Sequence, residues 1–265
     1  MTLEAVVASA NSQDPRNEGW QRLVPLRGVS NLRDLGDYMT ADGRRVRRGQ
    51  VYRSAALDKI DDADIDAFLA LGLRTIVDFR SPQERDVAPY RRPAGCQAAV
   101  HTLEIVSGVG PAMRDLMQSG QATPDAYRAL LIQGYRGYVR DHTESYRALF
   151  ARLLDPTAYP VLFHCSAGKD RTGMAAALLL TALGIDFDTV RADYLLTNEH
   201  WHGNSPFAQS APPDLVSTII RADERYLDAA FAAIAEDHDN VDAFLESRLG
   251  VDALGRAVLQ HLLLA

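Results

Sequence analysis

The sequence is poor in cysteine, short of positive charge and without a long apolar run. Its only cysteines, Cys96 and Cys165, cannot build a disulfide framework, and no Cys/His cluster has zinc spacing, so neither a metal nor a cofactor is expected. Sparse cysteine fits a reducing compartment. Acidic residues outnumber basic ones 35 to 28, and a net charge of −7 argues against non-specific binding to nucleic acid or anionic lipid. An anionic ligand must therefore be drawn in by a local site. No apolar segment approaches the roughly 18 residues of a membrane span. Met1 to Ser12 is mildly apolar without a basic leader. A flexible tail over residues 1–20 is expected there rather than a signal peptide, giving a cytoplasmic protein or one exported without an obvious leader.

What is present is a globular pattern in a chain of 265 residues, read as a single domain over 21–265. Tyr38 to Tyr52 reads as a hairpin about Asp42-Gly43, with the basic run Arg44-Arg45-Val46-Arg47-Arg48 on a solvated strand edge. A helix from Asp62 to Leu71, stopped by Gly72, leads into Leu73-Arg74-Thr75-Ile76-Val77-Asp78-Phe79, a buried parallel strand. Residues 93–124 are expected to be irregular. Asp125 to Leu154 reads as a helical stretch broken near Asp141-His142-Thr143, its tyrosines and leucines at core-facing spacing. Pro160-Val161-Leu162-Phe163 is a second buried strand, followed by a helix from Thr172 to Leu183 with Gly184 at its stop. From Leu215 onward the pattern is helical throughout. The fold class expected is α/β: a central, mostly parallel sheet flanked by helices, with a helical C-terminal region.

Chemistry concentrates where the second strand gives way to its helix. Such junctions present unpaired N–H groups to anions, and in His164-Cys165-Ser166-Ala167-Gly168-Lys169-Asp170-Arg171-Thr172 the glycine relaxes the turn. Ser166 to Arg171 form the expected phosphate cradle. Cys165 at its mouth is the candidate nucleophile, because N–H donors, the helix N-terminus and Arg171 all favour thiolate over thiol. Arg171, six positions on, can return its fork to two oxygens of the same anion. His164 reads as an organiser of nearby backbone, and Thr172 as a donor to the departing sulfur. An inert buried thiol is the usual reading of a lone cysteine on an apolar strand, but cysteine, glycine and arginine in one turn favour chemistry.

His164-Cys165-x5-Arg171-Thr172 resembles the phosphate-loop motif of the tyrosine and dual-specificity phosphatase superfamily. The string through Gly173 is similar to that of the atypical bacterial phosphatases of the mycobacterial tyrosine phosphatase B group. The likeness continues in Asn31-Leu32-Arg33-Asp34-Leu35-Gly36, Tyr52-Arg53-Ser54, Asp78-x-Arg80-Ser81 and Ala192-Asp193-Tyr194-Leu195, over about residues 24–260. It implies a phosphatase fold, catalysis without metal, a phospho-cysteine intermediate, and a reduced form of the helical lid its relatives carry, here over residues 105–140, for which a mere surface excursion is the alternative.

A phosphate ester also needs its leaving oxygen protonated. Asp78, at the end of the first strand, and Asp170, inside the loop, compete for that role; a salt-bridge partner for Arg80 is the structural alternative for Asp78, a helix N-terminal charge that for Asp170. In the resembled group a loop lysine is linked to more highly phosphorylated substrates, and Lys169 is expected to add charge at the cradle rim. Phosphotyrosine proteins are the leading substrates, with phosphoserine/threonine or phosphoinositides as side activities; a phosphoinositide phosphatase is the alternative. A sulfurtransferase or arsenate-reductase-like enzyme lacks support in the cysteine spacing and count. A non-hydrolysing phosphate-binding module would be expected to have lost Cys165 or Arg171.

Overall fold

The computed structural model describes residues 21–106, 108–203, 209 and 211–265. The tail expected over residues 1–20 lies outside them. Five strands form one sheet: β1 (Arg33–Asp34), β2 (Val51–Ser54), β3 (Thr75–Asp78), β4 (Ala99–Thr102) and β5 (Val161–His164). Their order is β1-β2-β5-β3-β4, with β1 antiparallel to β2 and every other pairing parallel. This is the expected α/β architecture, and it sets β5 at the centre of the sheet, flanked on both sides.

Alternation along the strands divides the core in two. Val161 and Phe163 on β5, with Val77 on β3, face the larger cluster, which packs against α4 (Pro124–Arg140), α5 (Thr143–Leu153) and α6 (Asp170–Leu183). Leu162 and Ile76 face the smaller one, closed by Phe68 of α1 (Ile65–Ala70). A fully buried side chain of this kind contributes about 1.5–3 kcal/mol. The core-facing reading of the tyrosine stripe holds: Tyr127, Tyr135, Tyr138 and Tyr146 are all buried. The break between α4 and α5 falls at Asp141-His142, and α6 ends at Gly184 in the left-handed conformation.

Two expectations are corrected. Asp42-Gly43 does make the turn, with Gly43 at φ +86°, but only a single bridge, Met39 to Arg45, flanks it. The Thr40 N–H donates to the Arg44 carbonyl and the Val46 N–H to the Tyr38 carbonyl, so a short hairpin does form, but it ends at Val46, which also bridges Leu264, while Val51–Ser54 joins β1 and β5. Residues 93–124 are not irregular. They hold edge strand β4 and helix α3 (Val109–Gln118), whose Met113 is buried in the larger core.

Beyond α6 come α7 (Phe187–Leu195), α8 (Thr197–His200), α9 (Pro213–Ile220), α10 (Glu224–Asp237), α11 (Val241–Leu249) and α12 (Ala253–Leu263), the expected helical C-terminal region. Among the described residues no helix is long and apolar enough to cross a membrane.

Candidate active site

Parallel pairing sets Asp78 beside His164, so β3 and β5 deliver their C-terminal ends to one rim. The chain leaves β5 at His164, turns through residues 165–169 and enters α6 at Asp170. Gly168 adopts φ +66°, and a Cβ there would stand 2.4 Å from the Ser54 carbonyl oxygen. The loop therefore lies directly on the end of β2, an approach only glycine permits. The backbone N–H groups of residues 166–169 donate to no other group among the described residues. With the N-terminus of a 14-residue helix behind them, they form a cradle suited to an anion.

Cys165 is buried at the mouth of this loop. Arg171 is oriented by a residue that no sequence motif singles out. Its Nη1 and Nη2 donate to the two carboxylate oxygens of Glu84, each at 2.7 Å, and the Ser166 hydroxyl donates to the same carboxylate. Burial disfavours charge on both partners, but the mutual bonds outweigh it, bringing Glu84 down to about 2 and raising Arg171 above the ordinary arginine value. A paired carboxylate thus grips one face of the fork and leaves Nε free for another anion. Glu84 lies on α2 (Pro82–Val87) and closes a capping box with Ser81. Ser81-Pro82-x-Glu84 is a legible helix start, which was the available signal, though it names no catalytic partner.

His164 is buried, and its Nδ1 lies 3.3 Å from the Cys165 carbonyl, the backbone contact expected of it. Burial, only partly countered by Asp78, brings its pKa down to about 4. Thr172 Oγ1 is buried with no hydrogen-bond partner among the described residues.

The two candidate acids sit in different surroundings. Asp78 is 2% exposed, and its oxygens accept from Arg80 Nε at 3.0 and 3.1 Å and from Nη2 at 2.8 Å. Burial would raise its pKa, but Arg80 and His164 lower it below the ordinary value. Asp170 accepts a hydrogen bond from the buried Tyr135 hydroxyl at 2.9 Å, which lies 2.7 Å from that of Tyr194. Asp170 is among the residues lining a cleft of about 650 Å³, with Ser166, Ala167, Arg27 and Trp201 but without Cys165 or Arg171.

Lys169 lines the same cleft, but its ammonium is engaged within the protein. Its side chain is 5% exposed, and the ammonium donates to the Ile219 carbonyl at 2.8 Å and the Arg221 carbonyl at 3.4 Å, with Asp170 at 3.6 Å. The C-terminal end of α9 leaves carbonyls without helical partners, and the lysine serves them. Among the described residues, no group of three His, Cys, Asp or Glu side chains is placed to hold a metal ion.

Comparison with known proteins accords with this geometry. The sequence model of the tyrosine phosphatase family matches residues 24–265. A Cupriavidus necator protein named as a tyrosine-protein phosphatase is 36% identical over 84% of this chain and 83% of its own. The triple specificity protein phosphatase PtpB of Mycobacterium tuberculosis is 34% identical over 66% of this chain and 68% of its own. Among solved structures, P. aeruginosa TpbA in complex with pTyr aligns with 78% of this chain and 96% of its own at 15% identity; the TM-score of 0.30 is low.

Proposed function

Because the chain belongs to the tyrosine phosphatase family, we propose that it hydrolyses phosphotyrosine in proteins through a phospho-cysteine intermediate. The observation that carries this reading is the junction itself: Cys165 under a loop of unpaired N–H donors, with Arg171 held by Glu84 at the same helix N-terminus. The Cys165 sulfur attacks phosphorus as the bond to the tyrosyl oxygen breaks, and the loop N–H groups with Arg171 hold the charge on the equatorial oxygens. Water then attacks the phospho-cysteine, releasing phosphate and the thiolate, to which the Thr172 hydroxyl donates.

Asp170 is the proposed proton donor to the leaving oxygen and the acceptor from the attacking water. Its border on the cleft supports that role, and the three Arg80 contacts on Asp78 argue against the competitor. A general acid must reach the departing atom and be protonated when it does, and an arginine-clamped carboxylate meets neither condition. With its ammonium donating to carbonyls at the end of α9, Lys169 is not free to bind a second phosphate, which favours phosphotyrosine over phosphoinositides as the main substrate.

A panel of phosphotyrosine, phosphoserine/threonine and phosphoinositide substrates tests the reading. Phosphotyrosine peptides are expected to turn over best, and Cys165→Ser to abolish turnover. Asp170→Asn is expected to lower kcat about 10²–10⁴-fold and remove the acid-requiring limb of the pH–rate profile. Asp78→Asn is expected to keep that limb. Inactivity of the folded wild type across the panel would overturn the assignment, and loss of the limb only in Asp78→Asn would reverse the roles of the two aspartates.

A further inference from the structure

Beneath the phosphate loop lie charged side chains to which the reaction above gives no part. Arg33 on β1 and Arg53 on β2 are both completely buried, and they converge on the buried carboxylate of Asp193 on α7. Arg33 Nη1 donates to Asp193 Oδ1 at 2.8 Å, and Arg53 Nη1 donates to Oδ2 at 2.5 Å. The Tyr38 hydroxyl donates to Oδ1 at 2.8 Å. Burial opposes charge on the carboxylate, but the two arginines bring it to about 2; burial likewise lowers Arg33 to about 10, so both stay ionised at neutral pH.

Two cations and one anion leave a surplus positive charge out of contact with water. Arg33 Nη2 and Arg53 Nε, moreover, have no hydrogen-bond partner among the described residues. For stability alone this is a poor solution, since apolar packing of similar volume is often as good as a buried ionic group or better. The other pairs around the loop balance: Arg80 with Asp78, Arg171 with Glu84, Lys169 with Asp170. His164 is neutral above about pH 4. The surplus therefore lies in the Arg33–Asp193–Arg53 group.

That group also holds the loop from behind. Arg53 Nη2 donates to the Gly168 carbonyl at 2.8 Å, and Asn31 Nδ2 donates to the carbonyls of Ala167 at 3.2 Å and Gly168 at 3.1 Å. Asn31 Oδ1 in turn accepts from Arg33 Nε at 3.1 Å. In a trans peptide C=O and N–H point in opposite directions. With those two carbonyls drawn down, the N–H groups of Gly168 and Lys169 are turned away from the arginines, and they donate to nothing else among the described residues. Space for the guanidinium is kept at Gly173, where a Cβ would come within 3.4 Å of Arg53 Nη2 and 2.8 Å of the Tyr194 ring.

We propose that Arg53, backed by Asp193 and Arg33, is a positioning residue: through the Gly168 carbonyl it aims the Lys169 N–H at the substrate phosphoryl group, beside the Gly168 N–H that Asn31 aims through Ala167, and it supplies a fixed positive charge beneath them. The inference rests on the phosphatase reading, which makes phosphate the anion, and orthovanadate, a phosphate mimic, is the probe.

Full-length wild type, Arg53→Lys, Arg53→Met and Arg33→Met are compared by melting temperature, vanadate binding, kcat and KM on p-nitrophenyl phosphate, and the rate of Cys165 alkylation by iodoacetamide at pH 6. Arg53→Met is expected to bind vanadate at least tenfold more weakly, and to slow both turnover and alkylation. Arg53→Lys, which keeps the charge without the fork, is expected to fall between it and wild type. Arg33→Met removes the same charge without touching the loop carbonyls and serves if Arg53→Met does not fold; vanadate binding at least threefold weaker is expected. Folded variants with lower melting temperatures but wild-type vanadate affinity and alkylation rate would overturn the proposal. Failure of the phosphatase reading looks different, because the wild type itself would then neither hydrolyse p-nitrophenyl phosphate nor bind vanadate.

Discussion

His164 shows how one buried side chain ties stability to pH. The unfolded chain binds a proton at this imidazole near pH 6.5, whereas the folded protein refuses it down to about pH 4, because burial disfavours the charged ring. Between those values the unfolded state holds the extra proton, so stability is complete above pH 6.5 and is lost as pH falls toward 4. The depression corresponds to about 3 kcal/mol. Denaturant titrations at pH 7.5 and 4.5 are expected to show this loss in wild type and a smaller one in His164→Gln. An equal pH dependence in the two proteins would refute the assignment. Because the ring is neutral throughout the assay range, a limb near pH 6.5 in the rate profile is not expected from it. The nucleophile, its arginine and this histidine were legible because they are contiguous in the chain. Glu84 was not: its carboxylate reaches Arg171 from a different helix, and its local role in the capping box explains it sufficiently when the sequence is read alone. The partners of Lys169 were hidden for the same reason, because Ile219 and Arg221 are distant in sequence.

At the scale of elements, two glycines bracket what α6 and its loop require. Gly168 and Gly184 both have positive φ, but a Cβ at Gly168 meets β2 at 2.4 Å, whereas at Gly184 nothing lies within 4 Å. Gly184→Ala is thus expected to lower stability by about 1 kcal/mol through backbone strain alone, with turnover unchanged. Gly168→Ala must in addition push the loop off β2, and a displacement on the order of 1 Å is enough to cost about 10²-fold in kcat/KM. Denaturation curves and steady-state kinetics on both variants separate these outcomes; equal activities would show that the fit of the loop on β2 does not matter. The elements that could be read in advance share a physical cause. β3, β5 and α6 carry apolar runs long enough to declare burial, with a glycine stop after the helix. β4 has no such run, because it lies at the sheet edge and is mostly exposed. Val46 pairs across almost the whole chain with Leu264, a contact that local periodicity cannot reveal.

For the whole molecule, access to the site depends on how firmly the segment expected to act as a lid, residues 105–140, is seated. Its two helices differ: α4 buries five side chains, whereas α3 buries only Met113. α3 is secured to α4 by the Tyr127 hydroxyl, which donates to the Met113 carbonyl at 2.9 Å, and by close packing at Gly134, where a Cβ would stand 2.3 Å from Val109 Cγ2. The link to chemistry runs through Ile105, which is buried just before α3 and whose carbonyl lies 3.3 Å from Arg171 Nη1. Few buried contacts mean a low free energy of local opening, so the amides of Val109–Gln118 are expected to exchange with solvent faster than those of α4. Gly134→Leu should sharpen the contrast. It improves the helix propensity of α4 by nearly 1 kcal/mol while wedging α3 away at Val109. If α3 covers the outer part of the site, this variant is expected to retain its fold, lose protection over α3, and change KM for a phosphotyrosine peptide several-fold. KM for p-nitrophenyl phosphate, which fills only the cradle, should move little. Loss of protection over α3 with both KM values unchanged would show that the helix pair packs beside the site without governing access to it.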